Sequence, residues 1–94
     1  MILVNVIYHC APGEREGFID DIKKQRIGEI SRAEEGNIDY SYYLSVDDPD
    51  AVFLLEKWED QDVLDKHCAA EHFKKLAGIK AAHGVTMERQ AWIV

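Results

Sequence analysis

Ile38-Asp-Tyr-Ser-Tyr-Tyr-Leu-Ser-Val46, Asp47-Asp-Pro-Asp50 and Ala51-Val-Phe-Leu-Leu-Glu-Lys-Trp-Glu59 run consecutively, and this stretch decides the fold. Its first part alternates, with Ile38, Tyr40, Tyr42, Leu44 and Val46 on one face and Asp39, Ser41, Tyr43 and Ser45 on the other, which is the period of a strand. The acidic, proline-bearing tetrad supplies a turn. The last part is again strand-like, and so short a connection predicts an antiparallel hairpin. Parity within it sends Leu54, Glu56 and Trp58 to one face and Leu55, Lys57 and Glu59 to the other.

Upstream, Met1-Ile-Leu-Val-Asn-Val-Ile-Tyr8 is a short β-branched run that stops at Pro12-Gly13 and predicts a first strand. Between about 14 and 35, Phe18, Ile19, Ile22, Ile30 and Ala33 form a helical stripe, with Gly36 placed as a C-terminal cap. Downstream, Asp60 can cap a second helical region, in which Val63, Leu64, His67 and Cys68 share a stripe that Phe73, Leu76 and Ala77 repeat. Ala69-Ala70 between them leaves open one bent helix or two short ones. Residues 85–94 form a last strand. Strand, helix, strand, strand, helix, strand is the α+β, ferredoxin-like βαββαβ order, a four-stranded antiparallel sheet with its helices on one face. One domain over residues 1–94 is expected.

Both faces of this sheet are apolar. The first strand offers Ile2, Val4, Val6 and Tyr8 to one side and Leu3, Asn5 and Ile7 to the other, and the third divides its apolar residues in the same way. Helices on one side cover one set, so the second set predicts a partner sheet and a homodimer.

The 94 residues are 47% hydrophobic, and 18 acidic against 11 basic side chains leave a net charge of −7. Nucleic acid and anionic membrane surfaces are poor partners for such a chain. There is no apolar run of spanning length and no basic leader, and Cys10 and Cys68 read as reduced bystander thiols, so the expected location is the cytoplasm.

Chemistry must come from isolated polar residues, because no phosphate loop, nucleophile elbow or paired-cysteine motif occurs. Asn5 stands in an apolar strand and needs hydrogen-bond partners. Glu56 stands among apolar neighbours, as a base or a structural strut. His67 lies on the apolar stripe and is a candidate general base. His72 is five residues on, about 140° around a continuous helix, which predicts no shared metal-binding face and no metal site. Trp58 reads as packing.

The segments Glu35-Gly-Asn-Ile-Asp-Tyr40, Phe53-Leu-Leu-Glu-Lys-Trp-Glu59, Leu64-Asp-Lys-His67 and His72-Phe73 together resemble antibiotic-biosynthesis-monooxygenase domains, quinol monooxygenases among them, over nearly the whole chain. The resemblance implies a ferredoxin-like homodimer with a pocket between sheet and helices, and oxygenation of a small electron-rich substrate by O₂ with no cofactor. It also implies functional roles for Asn5 and Trp58. The haem-degrading branch carries a ligating histidine after the helical phenylalanine, whereas here Phe73 is followed by Lys74-Lys75-Leu76-Ala77. The site expected is then His67 as base, Asn5 as donor to the developing anion and Trp58 in the wall, with Glu56 and Phe73 binding substrate. Two alternatives stand beside it. One is an isomerase acting on small phosphorylated metabolites, for which Lys57 and Arg26 are the available cations. The other is a dimeric binding domain in which Asn5, Glu56 and His67 satisfy one another.

Overall fold

Four strands, β1 (Ile2–His9), β2 (Asn37–Leu44), β3 (Ala51–Trp58) and β4 (Thr86–Ile93), form one antiparallel sheet in the order β2-β3-β1-β4. The computed structural model describes all residues, 1–94. β1 is central, pairing Val4 with Glu56 of β3 and with Ala91 of β4. The order and pairing are those of the ferredoxin-like fold expected from the sequence.

Each of the two expected helical regions is a pair of helices. The first divides into α1 (Arg15–Lys24) and α2 (Ile27–Arg32), with Arg26 between them in the left-handed conformation at φ 56°. Continued without interruption, the stripe of Phe18 and Ile22 would carry Arg26 and Glu29 inward. The break turns both outward, where they pair at 2.9 Å, and buries Ile27 and Ser31 completely. Ile30, expected in the core, is exposed as a result. Gly36 does not cap α2, whose last turn closes on Ala33. It forms the turn into β2 at φ 81°, where a Cβ would sit 2.6 Å from Val63.

The second region divides into α3 (Gln61–Cys68) and α4 (Glu71–Ala82). Asp60 caps α3, its carboxylate accepting from the Val63 amide at 3.0 Å. Ala70 is extended, which ends one helix and starts the next.

The core lies between the sheet and the helices. Ile2, Val4, Val6 and Tyr8 of β1 and Val52, Leu54 and Trp58 of β3 meet Phe18, Ile22, Ile27, Leu64, Leu76 and Ile79 there. The other face of the sheet carries Leu3, Asn5, Ile7, Phe53, Leu55 and Trp92 and has no helix over it, with Phe53 and Trp92 exposed. In β4, every residue is exposed.

A pH-dependent contact pins the end of α4 to α1. His83 lies 2.6 Å from Asp21 and 3.1 Å from Glu14, and these carboxylates, Asp21 foremost, raise its pKa above the usual imidazole value. A raised folded-state value means the stabilisation is complete below the unfolded pKa of about 6.5 and fades as pH climbs through the folded one. Thermal melts of His83→Gln should therefore fall below wild type near pH ~6 and converge with it under alkaline conditions. A gap that is constant with pH would show that the contact contributes through packing alone.

Candidate active site

A cavity of about 110 Å³ opens between the sheet and the helices. Val6 and Tyr8 of β1, Tyr40 of β2 and Leu54 and Glu56 of β3 line it from the sheet, and Leu64, His67, Phe73 and Leu76 from α3 and α4. Glu56 and His67 are there for the reasons the sequence suggests. Strand parity turns Glu56 to the helix face beside Leu54, and the apolar stripe of α3 turns His67 to the sheet.

His67 is held by Glu34, a residue just past α2. One carboxylate oxygen, Glu34 Oε1, lies 2.6 Å from His67 Nδ1 and 2.6 Å from His72 Nε2. The two rings have their centroids 5.3 Å apart and both side chains are buried. An ionised carboxylate only accepts hydrogen bonds, so each facing ring nitrogen carries the proton. In the neutral ring of His67 this leaves Nε2 as the bare nitrogen, on the side of Glu56, whose Oε1 is 3.8 Å away. The arrangement is that of a carboxylate fixing the tautomer of an imidazole base.

Glu56 is itself oriented. The Trp58 indole donates to Glu56 Oε1 at 3.1 Å, and the ring lies against His67 with centroids 4.7 Å apart. Burial pushes the Glu56 carboxyl above its ordinary range, against the opposing pull of the Trp58 N–H, His67 and Arg89. Glu56 thus holds its proton more readily than an exposed carboxylate.

The tyrosines stay protonated. Burial drives Tyr8 and Tyr40 far above the usual phenol value, and Tyr42 up to about 12. The Tyr40 hydroxyl is 3.2 Å from that of Tyr42, whereas Tyr8 shares its hydroxyl with no other side chain. Cys10 and Cys68 are also shifted upward by burial, which keeps the thiols protonated and poor as nucleophiles.

Of the expected site residues, His67, Glu56 and Phe73 meet in this cavity, with the Phe73 ring 5.3 Å from His67. Trp58 stands behind it, fully buried, with its N–H spent on Glu56 and not directed at a ligand. Asn5 is on the other side of the sheet. It pairs with Leu55, not Glu56, and its Oδ1 is buried without a hydrogen-bond partner beside the apolar open face, so Asn5 and His67 serve no common chamber. Parity already separates Asn5 from Val4 and Val6, and its chemistry belongs to whatever covers that face. The polar cluster imagined among Asn5, Glu56 and His67 is instead one of Glu34, His67, His72, Glu56 and Trp58.

The expectation that His67 and His72 share no face fails at the break between α3 and α4, which brings both rings to Glu34. Their three ligand atoms lie within 4.8 Å of one another, a set that could face a metal. As placed, the nitrogens sit at hydrogen-bond distance from the oxygen, closer than the roughly 3.4 Å that separates tetrahedral ligands at about 2.1 Å from a metal. The geometry is therefore that of a hydrogen-bonded cluster. Glu71, at the start of α4, is exposed and lies 3.7 Å from Lys74.

Glu34 and Tyr8 are among the site residues that the sequence does not single out. Tyr8 was placeable by parity on the helix side of β1. Glu34 was not, because the break at Arg26 changes the phase of everything after it.

The family model of antibiotic biosynthesis monooxygenase matches residues 1–78. A Bacillus subtilis protein named "Putative monooxygenase YcnE" is 32% identical over 74 residues, which are 79% of this chain and 76% of that protein. A Bacteroides thetaiotaomicron structure described as a possible oxidoreductase has a TM-score of 0.85 at 27% identity, covering 97% of this chain and 94% of its own. SnoaB of Streptomyces nogalater, a cofactor-independent oxygenase solved as a point mutant, has a TM-score of 0.80 over 99% of this chain and 92% of its own. At 16% identity it shares the fold.

Proposed function

The chain belongs to the antibiotic biosynthesis monooxygenase family, and from that premise we propose that it is a cofactor-independent monooxygenase of small, electron-rich, quinol-type aromatics. The observation that carries this reading is the Glu34–His67 pair at 2.6 Å, which turns the bare Nε2 of a buried imidazole toward the cavity side. A substrate that reduces O₂ itself asks little more of a protein than a base, a hydrogen-bond donor and shelter from water.

In this mechanism His67 Nε2 takes a phenolic proton from the hydroquinone, and the Tyr8 hydroxyl donates to the resulting anion. The anion passes electrons to O₂, and a C–O bond forms between a ring carbon and oxygen. His67 returns its proton to give a ring hydroperoxide. Removal of the C–H proton at that carbon then forms the carbonyl, the O–O bond breaks, and the departing hydroxide takes the proton to leave as water. Hydroquinone plus O₂ gives hydroxyquinone plus water, with one oxygen atom in each product.

The proposal includes a homodimer paired through the open sheet face, in a reducing, cytoplasmic setting. Support for the pairing comes from Leu3, Ile7, Phe53 and Trp92 on an uncovered face and from the unpartnered Asn5 Oδ1 among them. Sedimentation giving only the mass of one chain at micromolar concentration would remove this part.

Oxygen-electrode measurements on metal-stripped protein with a panel of hydroquinones test the activity. Uptake well above the no-enzyme rate is expected, and uptake at background across the panel would end the reading. The two cations named for the isomerase alternative do not line the cavity: Lys57 pairs with Leu3 on the open-face side, and Arg26 is exposed and bound to Glu29.

A further inference from the structure

Two cations, neither foreseen from the sequence, stand over the cavity. Lys80 of α4 and Arg89 of β4 both line it. Arg89 is opposite Val6 in the sheet register, so parity points it to the helix side, above the apolar floor. Lys80 approaches from the other wall, its ammonium 3.6 Å from the sulfur of Met87, which itself lines the cavity. Neither cation has a carboxylate within salt-bridge distance, in a chain whose net charge is −7. Arg89 is exposed and Lys80 half-exposed, whereas Glu56 and His67 are buried. The site is thus graded, with the proton-handling pair inside and positive charge at the rim.

Size sharpens this. At about 110 Å³ the cavity is somewhat smaller than the roughly 150 Å³ apolar chamber that accepts benzene, so it has room for one ring at most, and any substituents must project toward the opening. Resting on the oxygenase reading of the same cavity, we propose that its substrate is a monocyclic hydroquinone that carries a carboxylate, with the ring beside Phe73 and Leu54 and the carboxylate between Lys80 and Arg89. Arg89 offers a planar fork suited to the two carboxylate oxygens, and Lys80 a point charge. Long-range attraction from these two charges would also offset the repulsion an acidic chain exerts on an anion.

Binding, not turnover, tests this. Dissociation constants of 2,5-dihydroxybenzoate and of hydroquinone are measured by NMR titration of the full chain, in wild type and in Lys80→Gln, Arg89→Gln and the double variant. The acid should bind about tenfold more tightly than the neutral quinol at low ionic strength, with the gap narrowing as salt is added. Each single variant should lose part of the gap and the double variant nearly all of it. Equal affinities in wild type, an unchanged gap in the double variant, or no binding of either compound at millimolar concentration would each overturn the proposal. Oxygen uptake is recorded separately. Preference for the acid without oxygen consumption contradicts the oxygenase reading and leaves the anion site standing, whereas rapid oxidation of hydroquinone with no preference contradicts the anion site alone.

Discussion

Replacing His67 by glutamine is expected to lower oxygen uptake with hydroquinones by about 10²–10⁴-fold, the usual worth of a positioned general base. The loss should fall on kcat, because the apolar walls that hold the ring, Leu54 and Phe73 among them, are unchanged. Glutamine suits the experiment better than alanine: its amide can still donate to Glu34, so the partly buried carboxylate is not left without that partner. Glu34→Gln should produce a smaller drop in kcat, since the imidazole remains but the acceptor that fixes its proton on Nδ1 is weakened. Asn5→Ala, compared at equal dimer occupancy, should leave kcat near wild type, as its side chain lies across the sheet from His67. Uptake that survives in His67→Gln, or that collapses in Asn5→Ala with the dimer intact, would contradict the assignment of the base and of the chamber.

Trp58→Ala is expected to have the largest effect on stability, about 3–5 kcal/mol, as for other buried aromatic truncations. Trp58 is completely buried, its ring stacks obliquely on His67, and its N–H is a donor to Glu56. Truncation leaves a cavity and, in addition, a buried carboxyl without that donor. With about 4–8 °C of Tm per kcal/mol for a domain of this size, the variant should melt at least about 12 °C lower, or fail to fold against a total stability of about 5–15 kcal/mol. Trp58→Phe separates the two contributions. It restores most of the packing and loses the hydrogen bond, at a cost of about 1–3 kcal/mol. A melt for Trp58→Ala within a few degrees of wild type would mean that the wall behind His67 tolerates a void and that the tryptophan has another role.

The strands were legible because alternation is local. Val52, Leu54 and Trp58 face the helices and Phe53 faces away as parity requires, and the order of elements follows from the hairpin. The helical regions were legible in place but not in phase. A stripe drawn through Phe18, Ile22 and Ile30 assumes one axis, whereas moving Arg26 and Glu29 out of the core requires two. The same kind of break at Ala70 brings His72 to Glu34, a meeting of residues 38 apart that no local pattern contains. His67, Glu56 and Phe73 were readable as inward-facing residues of known elements. Asn5 was conspicuous for its polarity, and that oddity belongs to the open face. Lys80 and Arg89 could be given faces, but only tertiary packing brings α4 and β4 to one rim.

Turnover under ¹⁸O₂ of metal-stripped protein and a hydroquinone tests most directly that the cavity carries out oxygenation with the substrate as sole reductant. Mass spectrometry should find one labelled oxygen atom in the hydroxyquinone and the other in water, with one O₂ consumed per substrate. Product free of label, or label incorporation that returns only when a metal or flavin is supplied, would contradict it.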